Sequence, residues 1–132
     1  MRVITGTARG RVLKTLEGED VRPTTDRVKE AIFSIIQFEL EGRRVLDLFA
    51  GSGQLGIEAL SRGAAYATFT DMSAESVDIV KKNLISTKLE NNAEVIRTEA
   101  VTFLKGNRKK YDIVFMDPPY SKGILQNTLP YV

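Results

Sequence analysis

The chain has 132 residues, about one domain, and 42% of them are hydrophobic, enough to build a packed core. Lys and Arg number 19 against 17 Asp and Glu, a net charge of +2, so any affinity for a polyanion must come from local clustering. With neither cysteine nor histidine, disulfides, thiol nucleophiles, thiolate or imidazole metal sites, Ser-His-Asp relays and histidine proton shuttles are excluded. No metal is expected. No apolar run approaches the roughly 18 residues that span a bilayer, and the Met1 end has no apolar h-region. The expectation is a cytoplasmic protein without a membrane partner.

Two short β runs, Arg2–Thr5 and Arg11–Leu16, flank a turn-like Gly6–Gly10 and suggest a hairpin. A polar segment at 17–23 leads to a helix starting near Thr24 or Thr25, with Asp26 in its first turn. Val28, Ala31, Ile32, Ile35 and Ile36 recur at helical spacing and predict the face that this helix buries. A strand over Val45–Phe49 runs into Ala50-Gly51-Ser52-Gly53 and a helix to about Arg62. A second strand, Tyr66–Thr70, ends at Asp71. Ser73 then caps a helix whose core face holds Val77, Val80 and Leu84. A third strand follows at Glu94–Arg97, then a brief helix at 99–105. A fourth strand, Tyr111–Met116, is stopped by Pro118 and Pro119. Strands alternating with helices, and apolar on both faces, predict a parallel α/β sheet covered by helices. Residues 1–40 are expected to form a hairpin-and-helix appendage to a domain at 41–132.

Gly51-Ser52-Gly53-Gln54-Leu55-Gly56 fits G-x-G-x-x-G between strand and helix, with Asp71 twenty positions past Gly51. Taken alone this spells a dinucleotide site, in which an acid holds ribose hydroxyls. Asp47, inside the preceding strand, separates two readings. It would repel a pyrophosphate but attract a ligand carrying an ammonium and a sulfonium. Opposite charges about 4 Å apart are worth about 4 kcal/mol at an effective dielectric of about 20. Asp47 therefore favours S-adenosylmethionine over NAD, with capping of the loop through backbone N–H groups as its alternative role.

Asp117-Pro118-Pro119-Tyr120 follows directly on the fourth strand. The amino group of a nucleobase is a poor nucleophile, because its lone pair is delocalised into the ring. Two acceptors for its two N–H groups favour a pyramidal nitrogen and stabilise the charge that grows as it attacks a methyl carbon. The Asp117 carboxylate and the Pro118 carbonyl are suited to this, each bond contributing roughly 1.5–3 kcal/mol. Pro118 and Pro119 stiffen the backbone. Tyr120 offers a ring on which a flipped base can stack. No strong base is needed, since the proton leaves after the nitrogen has become cationic.

With these residues in hand, the sequence resembles the class I S-adenosylmethionine-dependent methyltransferases. More narrowly, it is similar to the RsmD-like family that methylates guanine N2 in 16S ribosomal RNA. The resemblance rests on the N-terminal hairpin, on Arg22–Phe33, on Val45–Gly53, on Glu58–Ala64 and on Asp117–Tyr120. It implies a Rossmann-like doubly wound sheet and a methyltransferase that uses S-adenosylmethionine. Asp47 and the backbone at Ala50, Gly51 and Gly53 would hold the methionine part of the cofactor. Asp71 would hold the ribose and Met72 would lie against the adenine. Glu99 stands where the family commonly has an Asp contacting the adenine amine. Thr24 and Arg27 either help close the cofactor site or simply start their helix.

Arg2, Arg9, Arg11 and Lys14 are the hairpin's only charges, with Arg22 beyond them. Such a cluster can make phosphate contacts that position RNA without reading sequence. A second cluster, Lys105, Arg108, Lys109 and Lys110, is expected on the far edge. The implied partner is 16S rRNA or an assembling small subunit, engaged by a monomer. A DNA adenine-N6 or protein glutamine-N5 methyltransferase is a rival within the same chemistry. An NAD-binding oxidoreductase or catalytically silent RNA-binding module is a rival outside it. The family fold has seven strands, whereas four are counted before Val132. The chain is therefore expected to lack the C-terminal strands, leaving the fourth as an edge.

Overall fold

In the computed structural model, residues 2–15, 26–107 and 109–116 are described. The order of elements is α1 (Asp26–Ile36), β1 (Arg44–Asp47), α2 (Gln54–Ser61), β2 (Tyr66–Asp71), α3 (Ala74–Ser86), β3 (Ala93–Arg97), α4 (Ala100–Gly106) and β4 (Ile113–Phe115). The four strands form one parallel sheet in the order β3-β2-β1-β4. Parallel neighbours need crossover helices, and these cover both faces. On one face Phe33 of α1, Ile57 and Leu60 of α2, and Val80 and Leu84 of α3 pack against Val45, Phe69 and Phe115. On the other, α4 brings Ala100, Phe103 and Leu104 against Leu46, Leu48 and Val114. Among the described residues β4 pairs with β1 alone and is an edge.

The α/β architecture and the sequence of elements follow the hydrophobic pattern, and Ser73 caps α3 by accepting from the Ser76 N–H. Two expectations are corrected. The N-terminal segment is not a two-stranded ladder but a single antiparallel bridge, Arg2 to Val12. Val3 donates to the Arg11 carbonyl and Gly10 to the Val3 carbonyl, but the next amides turn elsewhere. Ile4 and Thr5 both donate to the Glu58 carboxylate, at 2.7 and 3.0 Å. Beyond that bridge, the first half of the arm is held by α2.

The second correction concerns α1. Val28, Ala31 and Ile35 face outward, Ile35 being 82% exposed, while Ile32 and Ile36 are half-buried. The fully buried residues are Lys29 and Phe33. Phe33 lies against the Phe115 ring, 5.6 Å between centroids, and under the Arg62 guanidinium. Lys29 is drawn inward because its ammonium lies 3.2 Å from Glu58 and donates to the Arg2 carbonyl. A buried ion pair with hydrogen-bonded partners thus outranks an apolar stripe in setting the helix's rotation.

Glu58 is the centre of this arrangement. Burial pushes its carboxyl up, but the Ile4 N–H, the Arg62 guanidinium, the Lys29 charge and the Thr5 N–H together hold it below its ordinary value of 4.5. Ser61, one turn on, accepts from the Ala8 N–H and donates to the Thr5 carbonyl. Gly6 passes so close that a Cβ there would lie 1.8 Å from the Ser61 carbonyl oxygen. The arm and α1 therefore share one core with the sheet.

Replacing Glu58 with Gln should cost about 3–5 kcal/mol at neutral pH, since Lys29 would be left buried beside a neutral amide. The depressed carboxyl makes a further contribution that is complete above the ordinary value of 4.5 and fades as the pH falls through the lower folded value. Urea unfolding between pH 7 and pH 3 should show this acid loss in the unaltered protein. Glu58→Gln should lack that part of the slope.

Candidate active site

The parallel strands all end on one side, and there β1 and β2 deliver two carboxylates to the same loop. Asp47, the last residue of β1, is 1% exposed, and its Oδ2 accepts the Gly56 N–H at 3.1 Å. Gly56 is the third residue of α2, so Asp47 supplies from a strand the acceptor that an N-cap side chain normally provides. Asp71, the last residue of β2, accepts the Gly51 N–H on Oδ2 at 3.0 Å and the Ser73 N–H on Oδ1 at 2.9 Å. Ala50 donates to the Thr70 carbonyl and Gly53 to the Ala50 carbonyl. The loop is thereby fixed from both strands.

The three glycines do different work. Gly51 and Gly53 have φ of 58° and 82°, a left-handed backbone that disfavours a Cβ. A Cβ at Gly51 would meet nothing within 4 Å, so the backbone there is open to a ligand. Gly56 is packing: a Cβ would lie 2.3 Å from the Phe69 ring. These features fit S-adenosylmethionine. The loop is half-buried at Gly51 but open where a Cβ would stand, with two carboxylates behind and beside it to attract an ammonium and accept ribose hydroxyls.

The other sequence candidates gather around this loop in part. Met72 is exposed, and its carbonyl accepts from Arg97 Nε. Thr98 donates to the Asp71 carbonyl, which brings Glu99, exposed at the start of α4, to the same end of the sheet. Thr24, Arg22 and Asp117-Pro118-Pro119-Tyr120 lie outside the described residues; the described chain ends at Met116, next to β4. Arg27 is exposed on α1. Arg2, Arg9, Arg11 and Lys14 are exposed on the arm, Arg2 donating to the Gly10 carbonyl. Lys109 sits at the opposite end of the sheet, paired with Glu94 at 3.1 Å, and Arg108 lies outside the described residues. Among the described residues no group of acidic side chains can hold a metal ion, and no helix is long and apolar enough to cross a membrane.

Two polar residues escaped the sequence reading. Glu58 lies in the Glu58–Ala64 segment, where its only local signal is Arg62 four residues on. Asn83 occupies a core position of α3, three residues after Val80, and is 1% exposed. It accepts the Lys14 N–H and donates to the Lys14 and Ser52 carbonyls. A polar residue on a core-facing helical position was the available signal.

A solved Escherichia coli structure, yhhF, named for methyl transfer, superimposes with a TM-score of 0.89 at 40% identity, covering 99% of this chain and 70% of that one. Fold and glycine loop together define a class I methyltransferase architecture, the Rossmann-like sheet that carries the enzymes of this class. Within it, residues 1–132 match the family described as Conserved hypothetical protein 95, and the chain belongs to that family. It is 44% identical over 135 residues to YlbH of Bacillus subtilis (strain 168), whose name places it with the rRNA methyltransferases, covering 100% of this chain and 73% of that protein. It is 42% identical over 129 residues to Ribosomal RNA small subunit methyltransferase D of Escherichia coli (strain K12), covering 98% of this chain and 65% of that protein. The resemblance read from the motifs and this family agree.

Gly56→Ala should lose about 1–3 kcal/mol of stability through overpacking against Phe69. Gly51→Ala, with open space but a positive φ, should lose about 1 kcal/mol. Thermal unfolding of the two variants checks the order; equal losses would remove the packing role assigned to Gly56.

Proposed function

We propose that the chain transfers a methyl group from S-adenosylmethionine to the exocyclic N2 amine of a guanine in 16S rRNA. The observation that carries this reading is the glycine loop held between the Asp47 and Asp71 carboxylates, with Gly51 open to a ligand. The relatives add the substrate: one of them is named for methyl transfer to small-subunit ribosomal RNA.

When bound, S-adenosylmethionine supplies an electrophilic methyl carbon on a sulfonium. The Ala50–Gly53 backbone and the charge of Asp47 hold the methionine part. Asp71 would accept from the ribose hydroxyls, Met72 would lie against the adenine, and Glu99 and Thr24 would complete the site. The Asp117 carboxylate and the Pro118 carbonyl accept the two N–H groups of the target amine, and Pro119 keeps that carbonyl aimed. Tyr120 stacks on the base for about 1–3 kcal/mol. The amine proton leaves the nitrogen after methyl transfer, towards Asp117 or water. Alignment of amine, methyl carbon and sulfur supplies most of the rate, for which about 7–11 kcal/mol is available in principle. Exposed Arg9, Arg11 and Lys14, with Arg2 and Arg22, contact RNA phosphates.

Radiolabelled cofactor incubated with small ribosomal particles, total RNA, DNA and protein extract should label 16S rRNA at guanine N2. Label in DNA or protein alone, or in no pool, would replace this reading. Asp117→Ala should lower methyl transfer by about 10²–10³-fold while leaving cofactor affinity nearly unchanged. An equal loss of both would show that Asp117 holds the cofactor instead.

A further inference from the structure

We infer that Asn83 is a positioning residue that couples the basic N-terminal arm to the glycine loop, so that RNA and cofactor strengthen each other's binding. The inference rests on the functional reading above, in which Arg9, Arg11 and Lys14 contact phosphate and Ala50–Gly53 receives the cofactor.

The coupling is written in three hydrogen bonds. Asn83 Oδ1 accepts the Lys14 N–H at 2.7 Å, and Nδ2 donates to the Lys14 carbonyl at 2.9 Å. The amide therefore pairs with the Lys14 backbone in both directions, as a neighbouring strand would. The second N–H of Nδ2 donates to the Ser52 carbonyl at 2.9 Å, between the two positive-φ glycines. Both donors of a nearly fully buried amide are thus used, one on the arm and one on the loop. Lys14 and Ser52 are held to the same rigid group. A shift of either backbone costs hydrogen bonds that water does not readily replace at a buried position. Val80, one turn earlier on α3, lies 3.1 Å from where a Gly53 Cβ would stand, which supports the loop from the same helix.

RNA that immobilises the arm through its phosphate contacts therefore also immobilises Ser52, and a cofactor that orders the loop orders the arm. Such linkage is reciprocal by thermodynamic necessity. Other residues hold the arm's first half to α2 through Glu58 and Ser61, so loss of Asn83 should release the Lys14 end without detaching the whole arm.

The test measures the dissociation constant of S-adenosylhomocysteine with and without saturating 16S rRNA transcript, for the unaltered protein, Asn83→Ala and Asn83→Asp. The unaltered protein should bind S-adenosylhomocysteine about fivefold or more tightly with RNA present. Asn83→Asp retains an acceptor for the Lys14 N–H but no donor for Ser52. In both variants the ratio should fall close to one. A ratio that persists in the variants overturns the inference, as does uniform weakening of both ligands with the ratio intact, the signature of a merely structural role. A ratio of one in the unaltered protein, with both ligands binding, overturns it while leaving the functional reading standing. Failure of RNA or S-adenosylhomocysteine to bind the unaltered protein overturns both. Amide exchange of the unaltered protein is a readout independent of any variant. RNA should slow exchange across residues 50–53, and unchanged exchange there counts against the coupling.

Discussion

The carboxylate of Glu58 is buried in the middle of a helix, and nearly everything in the N-terminal third answers to it. An ionised carboxylate out of water costs several kcal/mol unless its lone pairs are filled and its charge is balanced. Here two backbone amides of the arm, a guanidinium from the same helix and an ammonium from α1 do so together. None of the three segments satisfies it alone. The arm cannot detach, nor α1 rotate, without stranding a charge. Phe33 then follows Lys29 into the interior and meets Phe115, which ties α1 to β4, the strand preceding the Asp-Pro-Pro-Tyr segment.

The same device recurs at the glycine loop, where strand carboxylates accept from backbone N–H groups. Asp47 and Asp71 each spend part of their acceptor capacity on backbone N–H groups that a tight turn and a helix start leave without partners. The loop is consequently held to both strands. Its polarity, two carboxylates beside a backbone open at Gly51, suits a cationic ligand better than a pyrophosphate. Asp47 had two sequence-level roles, as a charge for the ligand and as a cap for the loop. The capping bond to Gly56 is the one the geometry displays directly. The charge role proposed for Asp47 would act through the same buried group.

Much of the fold was legible because period-two and period-3.6 patterns report burial directly. The strands at 44–47, 66–71 and 93–97, the Ser73 cap and the glycine loop fall where the pattern places them. β4 is shorter than its apolar run: Tyr111 donates its hydroxyl to Thr68, and Asp112 meets Arg44 through its carboxylate, which accepts the Arg44 N–H, as well as through its own N–H, which donates to the Arg44 carbonyl. The candidate site was half legible. Asp47, Ala50, Gly51, Gly53, Asp71 and Met72 converge as their spacing implies, because all follow the ends of adjacent parallel strands. Glu58 and Asn83 were not legible as hubs, because a polar residue at a core position names no partner.

Taken by itself, the amino-acid sequence determined the class of the four α-helices and of the four strands of the sheet, the parallel sheet itself and the position of the glycine turn. Each of these follows from local periodicity, propensity and the backbone freedom of glycine. Only the tertiary structure decided which face α1 buries, whether the arm pairs with itself or with α2, and what ties that arm to the loop. The physical reason is distance along the chain. The deciding bonds join residues 53, 54 and 69 positions apart. A buried charge or amide chooses its neighbours by the donors and acceptors that folding brings within 3 Å or so, and no local pattern encodes that choice.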